Sequence, residues 1–250
     1  MVCVSVAQRG IVAVVLAILL GFAGPALAQP RHSEIHIPAV ASGEEIASQP
    51  NLWVMDVYFK PLRMIVVDLT DPKTGEKKPQ YVWYLAYRAV NRPLPKITQE
   101  NPPVNELDPP VLPPKFVPEF TLVTTSTPQP QVYEDRVLPE ALAVIRKRER
   151  LPLQNSVSAV QTVPPAVEPG SDGEQVIQGV AMFTGVDPRA DRYTVFLSGF
   201  SNGVRKLAAP DGSTAIQNKT IMMKYWRPGD EFELREPEIR LDGDPQWMYR

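Results

Sequence analysis

Short runs of β-branched and aromatic residues, each stopped by proline, glycine or aspartate, restrict this chain to strands joined by turns. Leu52 to Phe59 and Leu62 to Leu69 are such runs, separated by Pro61, which withholds a ladder donor and marks a bend or an edge. The polar stretch from Asp71 to Pro79 reads as a hairpin loop. Tyr81 to Val90 then alternates: Tyr81, Trp83, Leu85, Tyr87 and Ala89 share one face, Val82, Tyr84, Ala86 and Arg88 the other. The first of these faces is the more apolar and is expected to look into the core.

Further strands are expected over Phe116 to Thr125, Ser156 to Val163, Gln175 to Phe183, Arg192 to Phe200 and Lys219 to Trp226, with a charged edge strand or strap from Glu231 to Leu241. One segment has helical period. Over residues 139–150, Pro139 opens the first turn beside Glu140, Leu138, Ala141, Leu142 and Ile145 recur at helical spacing, and Arg146, Lys147, Arg148 and Arg150 close the last turns. These cations have an electrostatic reason to sit at a helix C-terminus; a membrane-surface or acidic-partner patch is the competing reading.

The resulting fold class is mainly β: an antiparallel β-sandwich of about eight strands with one docked α-helix and a Pro-rich loop. The loop is residues 93–118, with nine prolines, enough to hold much of it in extended polyproline conformation. Pro110-Val111-Leu112-Pro113 matches a polyproline ligand pattern and equally suits a stiffened connection.

The N-terminus points to export. Arg9 precedes an apolar core from Gly10 to Ala23, and Pro25-Ala26-Leu27-Ala28 supplies small residues for cleavage after Ala28. The core offers roughly 14 residues where a span needs about 20, so residues 1–28 are expected to be a signal peptide rather than a stable membrane anchor. The only cysteine, Cys3, lies ahead of that core, out of place for lipid attachment. Residues 29–50, polar and punctuated by Pro30, Pro38, Gly43 and Pro50, are expected to form a flexible leader to a domain at 51–250. The expected location is extracytoplasmic, in the periplasm or secreted.

Several function classes fall away on composition. Signal removal leaves 222 residues with 25 basic and 28 acidic side chains, a net charge of −3 with the signs interspersed, which disfavours nucleic acid as a partner. The mature chain has no cysteine, excluding disulfides, thiol catalysis and cysteine metal sites. Its only histidines, His32 and His36, lie near the new N-terminus. No cofactor is expected, and the residues do not name a partner; an envelope protein and a polysaccharide are the candidates.

The segment from Gly185 through Asp187-Pro188 to Tyr193 and Val195 has an aromatic just after a Pro-containing corner. It resembles the tyrosine corner of immunoglobulin-like and fibronectin-like sandwiches, which implies that the expected sandwich is immunoglobulin-like and that Tyr193 hydrogen-bonds backward across the turn. Residues 59–64, 81–92, 199–203 and 225–232 together resemble a family of exported bacterial proteins to which no function is assigned. The resemblance implies export and brings no chemistry with it.

The remaining constellations are sparse. His32 and His36, four apart with Glu34 between, would clip a metal on a helix. Asp187 with Asp191, or Asp242 with Asp244, would suit calcium or glycosidase work, although aspartate in a Gly/Pro turn has backbone reasons to be there. Arg227-Pro228-Gly229-Asp230 presents opposite charges and is explained by a hairpin turn. Trp83, Trp226 and Trp247 would make a sugar-stacking platform if they came together, whereas aromatics in short strands usually serve the core. The expected function is a non-catalytic module for binding, assembly or envelope structure; the alternatives are a carboxylate-based hydrolase of envelope or extracellular glycan and a calcium-dependent adhesion module.

Overall fold

The computed structural model describes residues 34–95, 112–126, 129–208, 212–228 and 238–250. The expected signal peptide, His32, residues 96–111 of the Pro-rich insertion and most of the segment from Glu231 lie outside the described residues. The folded unit is an antiparallel β-sandwich with a docked helix. In chain order it runs β1 (Ile35–Ile37), α1 (Gly43–Ser48), β2 (Met55–Phe59), β3 (Arg63–Thr70), β4 (Lys77–Asn91), β5 (Lys115–Phe116), β6 (Glu119–Thr124) and β7 (Gln131–Glu134). Then follow α2 (Pro139–Glu149), β8 (Gln161–Thr162), β9 (Ile177–Thr184), β10 (Arg192–Ser198), β11 (Val204–Ala208), β12 (Thr214–Trp226), β13 (Arg240–Leu241) and β14 (Gln246–Tyr249).

The first sheet is organised around β4. β2 and β3 lie end to end along one of its edges, pairing Phe59 with Tyr87 and Arg63 with Tyr84, and Pro61 sits in the break between them. β9 runs along the other edge and β1 adds outside β2. The second sheet has the order β11-β12-β10-β6-β7, with β13 and β14 also on β12. Trp83, Leu85 and Tyr87 of the first sheet meet Phe120, Leu122, Tyr193, Val195 and Ile221 of the second, and this is the main core.

The opposite face of the first sheet is buried as well. Ile65, Val67, Val82, Tyr84, Ala86 and Val180 pack under Ala141, Leu142 and Ile145 of α2. Both faces of β4 are therefore covered, which explains why its apolar residues run nearly without interruption. α2 ends on Arg150 in the left-handed region, φ 55°, and Glu149 turns inward there. Its carboxylate accepts from Lys60 at 2.7 Å, Arg63 at 2.9 Å and the Tyr84 hydroxyl at 2.6 Å.

Three expectations need correction. The leader expected at 29–50 is part of the fold from Glu34 onward, because β1 pairs with β2 (Ile35 with Phe59) and α1 carries a capping box. Residues 156–159 form a turn instead of opening a strand: Asn155 and Ser158 satisfy each other's backbone at 2.7 and 3.1 Å, and only Gln161–Thr162 pairs, with β5. The tally of eight strands and one helix omitted short or exposed elements, β1, β7, β11, β14 and α1 among them.

The free edge of β9 is sealed by side chain and loop. Met182 N donates to Asp135 Oδ1 at 2.6 Å, Arg136 N to Met182 O at 2.9 Å and Val180 N to Gln154 O at 2.8 Å, so the edge offers little to an outside strand. Where β10 ends, Gly199 takes φ +84° and turns Phe200 into a cluster with Phe59, Tyr87, Phe116 and Phe120, ring centroids 5.2–6.4 Å away. A Cβ at Gly199 would collide with the backbone carbonyl of Val117. Gly199→Ala therefore combines left-handed strain with a backbone clash and is expected to cost about 3 kcal/mol or more. Urea unfolding measures it, and a loss below about 1 kcal/mol would contradict this account of the turn.

Candidate functional site

Local sequence builds a polar corner where α1 meets the second sheet. Ser42 opens α1 with a reciprocal cap: Glu45 N donates to Ser42 Oγ at 3.2 Å and Ser42 N to Glu45 Oε2 at 2.6 Å. That leaves Glu45 Oε1 to accept from Lys219 Nζ at 2.8 Å and from the Tyr249 hydroxyl. Lys219 shares the inward face of β12 with Ile221, Met223 and Tyr225. Its side chain is 5% exposed, and Nζ also donates to Val40 O at 2.6 Å. Trp247, beside it on β14, donates Nε1 to Pro38 O at 3.0 Å.

Electrostatics follow from this geometry. Burial alone would raise the Glu45 carboxyl, but the hydrogen bonds from Lys219 and Tyr249 outweigh it and take it from 4.5 to about 2. Tyr249 moves the other way, from 10.0 to about 12, through burial and its bond to the Glu45 carboxylate. The Arg205 guanidinium lies 4.2 Å from the Tyr249 ring centre. Between α1 and β11 runs a groove of about 470 Å³, walled by Ser42, Ser48 and Gln49 on one side and by Val204, Arg205 and Lys206 on the other.

A second groove, of about 390 Å³, is lined by Glu119, Glu134, Asp135 and Ser156. Burial pushes the Asp135 carboxyl up, against the hydrogen bonds from Ser156 and the Met182 amide. A third group is a linked row beside β1. His36 stacks on Tyr58 at 4.3 Å and lies 3.7 Å from Asp56, which also accepts from Arg92 at 3.2 Å. Arg88 covers the other side of the Tyr58 ring, 3.7 Å from its centre.

The candidates singled out from sequence are scattered. His36 sits in a strand, β1, and His32 lies outside the described residues. Asp187 is engaged by Arg189 at 3.1 and 3.2 Å and Asp242 by Arg192 at 3.0 Å. Asp191 serves the corner through its backbone, its amide donating to Ser126 Oγ at 3.0 Å and its carbonyl accepting from Arg227 N at 2.8 Å. Among the described residues no group of three or more His, Cys, Asp or Glu side chains is arranged to hold a metal ion. The Tyr193 hydroxyl donates back across the corner to the carbonyl of Ala190.

The tryptophan platform does not assemble. Trp83 is fully buried between the sheets, Trp226 lies on the outer face of the second sheet with Arg240 5.5 Å from its ring centre, and Trp247 is on the opposite face. The residues that do converge, Glu45, Gln49, Arg205, Lys206, Lys219 and Tyr249, went unnoticed in the sequence. Two signals point to them: Ser42-x-x-Glu45 is a capping box, and Lys219 is a cation on the apolar phase of a strand. No family model, curated protein or solved structure matches the chain.

Because the folded pKa of Glu45 is depressed, its contribution to stability is complete above about 4.5 and lost as pH falls towards about 2. Urea midpoints measured across that window are expected to drop for the native chain, with Glu45→Gln removing part of the slope. Identical slopes in the two proteins would show that the carboxylate is not held by Lys219 and Tyr249.

Proposed function

We propose that the protein is a non-catalytic extracytoplasmic module for binding, assembly or envelope structure, and that its partner enters the groove between α1 and β11. One observation carries this reading. Along that groove Arg205 and Lys206 lie on an exposed strand beside a polar helix, while half-buried Glu45 and buried Lys219 nearby are spent on joining α1 to the sheet. The same division holds elsewhere: Glu149 fastens α2 and Asp56 fastens the segment between β1 and α1, with Ala39 N donating to it at 2.7 Å. Export, read from residues 1–28, would bring this surface to envelope proteins or polysaccharide.

A carboxylate-based glycan hydrolase is the second reading, favoured by the second groove, where the raised Asp135 carboxyl sits beside Glu134 and Glu119 in the manner of an acid with a charged companion. Both Asp135 oxygens are already occupied, by the Met182 amide and Ser156, and that engagement serves the β9 edge. Release of reducing ends from envelope glycan by the native chain, abolished in a folded Asp135→Asn variant, would establish the hydrolase in place of the binding module.

The binding reading is tested by charge reversal. Arg205→Glu with Lys206→Glu is expected to cost about 1 kcal/mol, through the lost contact of Arg205 with the Tyr249 ring, and so to leave the protein folded while abolishing its co-sedimentation with isolated envelope material. Native protein that stays wholly in the supernatant, or a variant that sediments equally well, would sink the assignment of the groove.

A further inference from the structure

The backbone of β11 gives the ligand of this groove a chemical class, and the inference rests on the binding-module reading above. Residues 49–55 run beside residues 200–204 and hold them at intervals. Met55 N donates to Phe200 O at 3.0 Å, Trp53 N to Asn202 Oδ1 at 2.8 Å and Asn202 Nδ2 to Asn51 O at 2.9 Å. The last rung is made by a side chain. Gln49 Nε2 donates to Val204 O at 3.0 Å and Gln49 Oε1 accepts from Val204 N at 2.9 Å, so the carboxamide stands where a peptide unit of a neighbouring strand would be. Among the described residues no further rung is supplied, because Gln49 closes α1 and the residues before it, 43–48, are helical.

The period of a strand fixes what comes next. The N–H and C=O of Val204 point away from β12 towards Gln49, so those of Arg205 and Leu207 face β12 and those of Lys206 and Ala208 face outward again. Lys206 is also part of the groove wall. An incoming strand would thus continue, along the same edge, the ladder that residues 49–55 begin.

Charge selects the occupant. Glu45 is matched by Lys219, so the other charged side chains along the groove are Glu44 on α1, Arg205, whose guanidinium lies over the Tyr249 ring, and Lys206. A second copy of the chain is disfavoured, since antiparallel pairing of two β11 strands sets the cations of one against those of the other. A segment with carboxylates at alternate positions meets Lys206 on the outer face of the sheet. We propose that the outer edge of β11, from Lys206 to Ala208, is a strand-addition site that takes an extended acidic segment of a partner polypeptide, aligned by the Gln49 carboxamide.

The test uses the full chain with fluorescein-labelled, end-blocked octapeptides followed by anisotropy, together with the amide shifts of Lys206 and Ala208. An alternating Glu–Val peptide is expected to bind saturably and to shift both amides. The Lys–Val counterpart, and the Glu–Val peptide N-methylated in one of its two alternate phases, are each expected to bind about tenfold more weakly or worse. Equal binding in both N-methylated phases would overturn strand addition while leaving a ligand in the groove. If no peptide binds but alginate, an acidic polysaccharide, shifts the Lys206 amide, the proposal fails and the binding reading stands. If nothing shifts that amide, both fail.

Discussion

Burial of the first sheet on both faces is the constraint on which the rest of the molecule depends. β4 contributes Trp83, Leu85 and Tyr87 to the layer between the sheets and Val82, Tyr84 and Ala86 to the layer under α2. Each fully buried side chain of this size is worth about 1.5–3 kcal/mol, and covering both faces needs a partner on each. The second sheet supplies one. α2 supplies the other, and its position is fixed where its last turn delivers Glu149 to Lys60, Arg63 and Tyr84. A buried carboxylate is costly in itself, so this group serves mainly to specify how the helix lies, with Ala141, Leu142 and Ile145 providing the cohesion.

The parts legible in the sequence are those whose signals are local. The helix expected at 139–150 is observed at Pro139–Glu149 because proline, an early acid, a late basic cluster and apolar spacing all act within the segment itself. β10 carries its own alternation and β9 a short apolar run buried on both faces, and each begins within two residues of its expected place, whereas β12 extends five residues ahead of the expected Lys219. Elements held by distant contacts gave no comparable signal. β1 is three residues long and exists because Phe59 and Val57 lie opposite it. β11 is exposed along its whole length and has no apolar phase to find. At Ser156–Val163 the apolar alternation was misleading, since an asparagine–serine turn satisfied the backbone first.

The candidate site was illegible for a related reason. Its six converging residues, Glu45, Gln49, Arg205, Lys206, Lys219 and Tyr249, come from α1 and its C-cap, β11, β12 and β14, and no short window contains more than two of them. Yet Lys219 was open to notice. A lysine in phase with Ile221, Met223 and Tyr225 points inward, and an inward cation requires a partner. Reading strand phase for charges that face the wrong way, rather than for hydrophobic residues that face the right way, would have brought Glu45 into question.

The corner also has a mechanical logic. Gly199 turns the chain at the end of β10, Phe200 anchors it in the aromatic cluster, and Ser201 and Asn202 bind the backbone of Trp53 and Asn51. Those contacts draw residues 49–55 along the outside of β11 as far as Val204, where the capping box of α1 competes for the same chain. Helix and strand cannot both have residues 43–48, and the reciprocal Ser42–Glu45 cap, reinforced by Lys219 and Tyr249, settles the competition for the helix. Among the described residues, the outer edge of β11 beyond Val204 is therefore left without a partner strand. Arg205 and Lys206 on such an edge act in two ways at once: they repel a second β11, as charged edge residues do in other sheets, and they admit a strand of the opposite sign. Protection against self-association and selection of an acidic partner are the same electrostatic property, expressed towards two different neighbours.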